Sequence, residues 1–372
     1  MTTVLHASDS ADFLRVVPAL AGFTPRQSIV LLPFRGSRSY GAMRLDLPVD
    51  GLSLEEYADA AVGLLSRVEG TDAVALVVYT DAEVHPTHDG LVLPFAVAVD
   101  ELLGCADDAG LRVVDALCVT PDGWSSYLVD EPVVGALSDI GAAHVTRSDA
   151  DVSGDQFAGV ELPTADLAEK ERVGRALQEL TELLGREGHS PLTGRENPLL
   201  LASLGMLEDI PAFFESVLRT PDDLPPFATA ALLWCLDRPL FRDVAITQWA
   251  TDLAGGMRTL DAQLSFAGSG ATVPDDLGLV FLGRGPAPDV ERIRVALSVV
   301  RSAAARAPRA SRPAPLTAAA WLSWALGRST HAGRYLEMVQ EIDPQYGLAE
   351  LLGTMIGGAM LPEWAFRRGP VE

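Results

Sequence analysis

Hydrophobic and polar positions follow two different periods along this chain, and the period changes before its middle. The run Ala73–Tyr79 (AVALVVY) is short, β-branched and apolar throughout, as is typical of a central strand covered on both faces. The run at 28–34 predicts a second buried strand. Further strands are predicted at 40–47, 111–120 and 124–129.

Segments with helical periodicity lie before and between these strands. Helices are predicted at 10–21, 53–68 and 91–109, and the Ser53–Glu56 capping box opens the second of them. The order β-β-α-β-α-β-β predicts an α/β N-terminal domain, residues 1–150, with a mixed sheet covered by helices.

The second half of the chain has helical periodicity only. Residues 151–164 lose periodicity and are interpreted as a linker, and residues 165–372 are predicted to form an all-helical C-terminal domain. The fold class is therefore α+β overall. Its helices are predicted at 165–186, 196–219, 226–236, 240–255, 287–307, 315–328, 331–342 and 345–358, with breaks at 268–278 and 307–315.

Charge and cysteine usage limit the partners. The net charge is −23, and residues 51–160 carry twenty acidic side chains against three arginines. A surface of that sign repels phosphate backbones and anionic lipids, so we expect no direct nucleic acid and no membrane partner. Three cysteines without paired spacing, and an N-terminal segment without the features of a secretory leader, predict a cytoplasmic protein.

The loop after the strand at 73–79 carries the clearest candidate chemistry. Its possible metal ligands or acid–base groups are Asp81, Glu83, His85, His88 and Asp89. Ligands of α/β sheets bind beyond the carboxyl ends of strands, which is where this loop should lie. Pro86 argues against helical presentation of the two histidines, and a solvated polar loop is the alternative interpretation.

An arginine-bearing hairpin is the one basic island of the acidic half. Arg35, Arg38 and Arg44 could bind a phosphate or carboxylate through paired hydrogen bonds. Ordinary surface ion pairs with neighbouring carboxylates explain the same residues. Both interpretations stay open.

Motifs for other chemistry are incomplete. The segment GHSPL at 188–192 lacks the second glycine of a nucleophile elbow, and the single lysine, Lys170, excludes a P-loop. No cofactor is therefore predicted. Residues 284–312 carry seven arginines, and we consider that this basic helix docks on the acidic α/β domain.

The segment 318–352 resembles the turn of tetratricopeptide-like helix pairs, placed near the end of the helical domain. Trp321, Trp324 and Tyr335 recur there at helical spacing. They predict an interaction surface in one interpretation and a packing seam of the core in the other.

Several segments together resemble a known family. LRVVPALAGFTPRQSIVLLPF at 14–34, W-x-S-Y at 124–127, LDRPLFRDVAITQWA at 236–250 and EIDPQYGLAELL at 341–352 are similar, in order, to landmarks of the actinobacterial domain-of-unknown-function family 4192. The sequence departs from that pattern after Tyr127, where relatives often carry a cysteine-containing stretch. The resemblance brings no activity with it.

Two classes of function follow. The first is a non-enzymatic protein whose helical domain binds an unknown protein partner or a second copy of itself. The second is an enzyme, or a small-molecule or metal-binding protein, with its site at the strand ends of the α/β domain. The absence of an assembled catalytic motif favours the first.

Overall fold

A computed structural model describes residues 7, 9–39, 41–88, 90–141, 154–185, 197–221 and 224–366. The chain forms two compact units, residues 1–158 with 366–372, and residues 159–365. Their boundary falls inside the segment interpreted as a linker. The first unit contains a mixed sheet and helices, and the second is mostly helical, so the predicted α+β fold class is confirmed.

The first unit follows the predicted order of elements with three additions: a two-residue strand at Arg38–Ser39, a short hairpin at 85–92 and a helix at Leu137–Ile140. Its elements are α1 (Ser10–Ala21), β1 (Ser28–Arg35), β2 (Arg38–Ser39), β3 (Met43–Asp46), α2 (Leu54–Ser66), β4 (Ala73–Tyr79), β5 (His85–Thr87), β6 (Gly90–Val92), α3 (Ala96–Asp108), β7 (Arg112–Thr120), β8 (Gly123–Ser126) and α4 (Leu137–Ile140).

The main sheet has the strand order β2-β1-β4-β7-β8, and β3 also pairs with β1. Strands β4 and β7 are parallel and are joined through α3, whereas β1 and β8 run antiparallel to their neighbours. The register aligns Ser28 with Tyr79 and Tyr79 with Val119. The carboxyl ends of β4 and β7 therefore meet at one edge of the sheet.

Alternate side chains of the sheet enter two separate cores. Ile29, Leu76 and Cys118 face one core, which α2 and α3 cover. Val30 and Val77 face the other core, to which α1 contributes Leu14 and Val17. The unit is therefore a three-layer α/β/α arrangement, and this explains why β1 and β4 are apolar at almost every position.

The second unit is built from helices in its described part. Its elements are α5 (Leu167–Leu184), α6 (Pro198–Leu207), α7 (Ile210–Val217), α8 (Pro226–Leu236), α9 (Pro239–Ala250), α10 (Leu253–Ser269), α11 (Asp275–Phe281), α12 (Val290–Arg306), α13 (Pro313–Ala325), α14 (Ser329–Gln340) and α15 (Gly347–Gly357), with 3₁₀ turns at Arg309–Ser311 and Glu363–Ala365.

Three predictions of helix extent differ from the structure. The helix predicted at 91–109 begins only at Ala96, because its first two residues belong to β6. The helix predicted at 196–219 is divided in two, because the Asp209 side chain accepts the Ala212 N–H at 3.0 Å and so caps a new helix, α7. The region 253–281, for which little helix was predicted, contains α10 and α11.

The core of the second unit is centred on aromatic residues. Trp249, Trp321 and Trp324 are completely buried, and the Phe214 and Trp249 rings meet edge to face at 5.9 Å. Helix α13 is buried along its whole length and packs against α12 and α14. Among the described residues, no helix is long and apolar enough to span a bilayer.

Candidate functional site

The carboxyl ends of β4 and β7 hold the predicted strand-end residues. Asp81 follows β4, and its carboxylate accepts a hydrogen bond from Gln27 Nε2 at 2.8 Å. The Asp81 backbone N–H donates back to Gln27 Oε1 at 3.4 Å. Gln27 has a φ of 43°, in the left-handed region that residues with side chains rarely adopt. The pair joins the loop before β1 to the loop after β4.

A second amide fixes the same loop. The Arg26 backbone N–H donates to Gln156 Oε1 at 3.1 Å, and Gln156 Nε2 donates to the Arg26 carbonyl at 2.9 Å. Gln156 is 4% exposed. Sequence reasoning missed both glutamines, because their partners are 54 and 130 residues away.

Three of the remaining predicted metal ligands, Glu83, His85 and His88, are exposed to solvent. His85 lies on β5, in register with Val92, and Glu83 and His88 lie on either side of that strand. The nearby Asp122 carboxylate accepts the Val84 N–H at 3.1 Å. Within the described ranges, no group of three or more histidine, cysteine or acidic side chains could hold a metal ion. The metal site stays a prediction, and Asp89 lies outside the described residues.

The predicted anion-binding arginines are spread along the hairpin that begins with β1. Arg35 and Arg38 are exposed and face each other across its turn, where the Gly36 N–H already donates to both carboxylate oxygens of Asp72, at 3.0 and 2.9 Å. Arg44 lies on β3 and forms an ion pair with Asp46 at 2.5 Å. Carboxylates of the same unit therefore contact both parts of the predicted anion site: Asp72 contacts the turn between Arg35 and Arg38, and Asp46 contacts Arg44.

The predicted interaction-surface residues lie in the core. Trp321, Trp324 and Tyr335 are each 0% exposed. The Trp321 indole N–H donates to the Phe281 carbonyl at 3.2 Å, and that of Trp324 donates to the Met360 carbonyl at 2.7 Å. A partner could contact these side chains only if the unit opened, so they fit the packing-seam interpretation.

The basic helix α12 uses its arginines within its own unit. Arg292 makes a two-point ion pair with Glu215, at 2.7 and 2.5 Å, and also donates to the Gln248 carbonyl. Arg306 is 6% exposed and donates to the Leu224 carbonyl at 2.7 Å. These contacts engage both guanidiniums within the second unit, and docking of the basic helix on the acidic domain stays a prediction.

The buried thiols are poor nucleophiles. Burial raises the pKa of Cys118 to about 11 and that of Cys235 to about 12. Both thiols are therefore protonated at neutral pH, and nucleophilic attack requires the thiolate.

Helix α10 carries an exposed apolar stripe that the sequence analysis overlooked. Leu253, Met257 and Leu264 are 40%, 54% and 51% exposed, and Leu260 between them is partly buried. Their i, i+4, i+7, i+11 spacing is the signal that could have identified it. The four residues are called the α10 stripe below.

Comparisons with known proteins agree with the landmarks in the sequence. A family model described as "Domain of unknown function (DUF4192)" matches residues 11–279 and 289–363. Two of those landmarks are in contact, because Arg242 Nη1 donates to the Tyr346 hydroxyl at 3.3 Å. Neither the curated proteins nor the solved structures give a match.

Proposed function

This chain belongs to the DUF4192 family, and we propose that it is a non-enzymatic protein whose helical unit associates with a second copy of itself through the α10 stripe. The observation that carries the proposal is the exposure of Leu253, Met257 and Leu264 on one helix. Exposed apolar side chains grouped in this way are typical of association surfaces.

The spacing of the stripe fits helix pairing. Successive residues of an α-helix are separated by about 100°, so Leu253, Met257, Leu260 and Leu264 fall within an arc of about 60°. The alternating steps of four and three residues are those of a coiled-coil seam. The steps 4, 3, 4 also read the same in both directions. In an antiparallel pair, Leu253 would therefore face Leu264 of the second copy, and Met257 would face Leu260.

The unit holds the stripe on a fixed support. Gly256 and Thr259, on the neighbouring face of α10, are buried. A Cβ at Gly256 would lie 2.1 Å from Gln248 Oε1, so only glycine permits this approach of α10 to α9. Because α10 is anchored along this face, association needs little ordering of the helix.

The candidate chemistry gives the alternative function less support. Asp81 and Asp122 at the strand ends accept hydrogen bonds from Gln27 and from the Val84 backbone, so both carboxylates already have partners within the unit.

We propose a cytoplasmic location, because Cys118 and Cys235 are buried free thiols, as is typical of a reducing compartment.

Sedimentation velocity of the full chain over about 1 to 200 µM tests the proposal, since a four-residue seam is small and micromolar affinity is expected. We expect a monomer–dimer equilibrium for the wild type. The double variant Met257→Asp/Leu264→Asp should remain monomeric, because pairing would bury four carboxylates against the apolar side chains of Leu253 and Leu260.

The matched control is Leu351→Asp, since Leu351 is 65% exposed on α15, outside the stripe. This variant should dimerise like the wild type. A wild type that stays monomeric throughout the range, or a double variant that dimerises with unchanged affinity, would contradict the proposal.

A further inference from the structure

A polar cluster in the second unit contacts the corner from which α10 begins. Arg292 on α12 makes its two-point ion pair with Glu215 on α7, at 2.7 and 2.5 Å. Gln248, near the end of α9, completes the cluster, because its Nε2 donates to a Glu215 carboxylate oxygen at 3.1 Å. From this arrangement we propose that these three residues, called the Arg292 cluster below, position the α10 stripe for association with a second copy. This role rests on the proposed function, and it belongs to residues outside the stripe.

Arg292 also fixes the end of α9. Its Nε and one terminal nitrogen donate to the Gln248 carbonyl, at 3.3 and 3.2 Å. That carbonyl lies in the last turn of α9, where carbonyls lack partners within the helix. Asp252 then caps α10, because its side chain accepts the Gly255 N–H at 2.8 Å. The guanidinium therefore holds the backbone just before the chain turns into α10.

The Gln248 side chain connects the cluster to α10. Its Nε2 has two acceptors, the Glu215 carboxylate and the Pro211 carbonyl at 2.8 Å, and these set the direction of the amide. The amide oxygen then faces α10, since a Cβ at Gly256 would lie 2.1 Å from Oε1. Gln248 is 0% exposed, and this oxygen has no hydrogen-bond partner among the described residues. Its position against Gly256 is therefore set by the two acceptors on the other side of the amide.

Gly256 is the point at which α10 contacts this amide. It directly precedes Met257 of the α10 stripe, and α9 and α10 pack against each other. Loss of the Glu215 contact would free the Gln248 amide to turn, and loss of Arg292 would also free the end of α9. Helix α10 would then take several positions, and pairing would have to select one of them. Because that selection costs free energy of association, the cluster strengthens pairing although none of its residues belongs to the stripe.

Sedimentation velocity of the full chain over about 1 to 200 µM tests this role, with the monomer–dimer affinity as the readout. Arg292→Gln leaves the stripe intact and should weaken association about five-fold or more, as is typical of coupling between two sites. Arg292→Lys should weaken it less, because an ammonium keeps the charge but cannot contact Glu215 at two points and the Gln248 carbonyl as well. Arg292→Lys keeps the test decisive if Arg292→Gln does not fold.

Gly256→Ala tests the route from the cluster to the stripe. The added Cβ would meet Gln248 Oε1, so α10 must move away from α9, and association should weaken by a similar factor. If the cluster acts through this contact, the two changes are not additive. Arg292→Gln should then weaken association of the Gly256→Ala variant by less than about two-fold. Fully additive effects would mean that the cluster does not act through Gly256, and the proposal would fail.

The matched control is Val339→Ala, which removes buried apolar volume on α14 and so lowers the stability of the unit without changing the cluster. Its folded chains should dimerise with wild-type affinity, whereas a cluster that acted only through stability would make Val339→Ala and Arg292→Gln behave alike. A wild type that dimerises, with unchanged affinity in Arg292→Gln and Arg292→Lys, would overturn this inference alone. A wild type that stays monomeric would overturn the proposed function, and this inference with it.

Discussion

The two units bury polar groups in different ways. Among the described residues of the first unit, the buried polar side chains are neutral: Ser28, Thr80, Thr120, Ser125 and Gln156. The second unit also buries charged side chains, among them Arg242 and Arg306. A sheet fixes the positions of its neighbouring strands by backbone hydrogen bonds, whereas helices satisfy their own backbone and must be aligned by side chains.

Charged side chains provide that alignment in the second unit. Arg292 on α12 contacts Glu215 on α7, and both Arg292 and Glu215 contact Gln248 on α9. One polar cluster therefore joins three helices that are distant in sequence. Because Glu215 accepts hydrogen bonds from both Arg292 and Gln248, the cluster favours one arrangement of these helices, and this is what buried polar networks can add to apolar packing.

The difference between the two units can be tested first by truncating a side chain in the apolar core of the sheet. Leu76 is 2% exposed at the centre of β4. Leu76→Ala should destabilise the first unit by about 3 kcal/mol, from lost burial and the cavity left behind. Hydrogen exchange of the β4 and β7 peptides, measured by mass spectrometry, should accelerate accordingly. Peptides of the second unit provide the internal comparison.

Leu128→Ala is the matched control, because Leu128 is 49% exposed in the same unit. It should change exchange in β4 very little. Equal effects of the two truncations would show that burial of Leu76 does not stabilise the sheet.

The sequence predicts elements well where local signals and tertiary packing agree. The bounds of α1, β4 and α8 agree with the predictions, because each combines a capping residue, a proline or a polar boundary with one clear apolar period. Helix α10 was not predicted, and the helix predicted at 240–255 ends between Gly255 and Gly256. Their role becomes visible only when Gln248 packs against Gly256.

Candidate sites are harder to predict than elements, because their partners are distant in sequence. Glu215 and Arg292 are 77 residues apart, and Arg242 and Tyr346 are 104 apart. Helical spacing identified Trp321, Trp324 and Tyr335 as one face, but spacing alone does not say whether that face is inside or outside. Exposure depends on which helices pack on it, and that is a property of the tertiary structure.

A second test breaks the charged cluster of the helical unit. Glu215→Ala leaves the Arg292 guanidinium without its carboxylate and should cost about 2–3 kcal/mol, less than a fully buried pair would. The reduction is expected because the two side chains retain 19% and 23% exposure. Urea unfolding followed by tryptophan fluorescence reports mainly on this unit, which holds five of the six tryptophans.

The exposed ion pair between Glu171 and Arg175 on α5 supplies the control. Glu171→Ala should cost no more than about 0.5 kcal/mol, because both side chains are solvated. Similar losses in the two variants would mean that the cluster adds no more stability than a surface pair, and the contrast between the units would fail.

The smallest expected effect concerns pH. Arg292, the largest cause, and Gln248 hold the pKa of Glu215 below its ordinary value, although burial opposes them. Between the lowered pKa and the ordinary one of about 4.3, the unfolded chain binds more protons than the folded chain. The stabilisation of the folded state by the Glu215 carboxylate is therefore complete above that range and is lost as the pH falls through it.

The side chain of Glu215→Gln cannot titrate, so the free energy of unfolding of this variant should fall less than that of the wild type between about pH 6 and pH 3.5. Urea unfolding across this interval measures the difference, and Glu171→Gln should follow the wild type. If Glu215→Gln and the wild type lose stability in parallel, the ion pair with Arg292 does not contribute to the acid sensitivity of the helical unit.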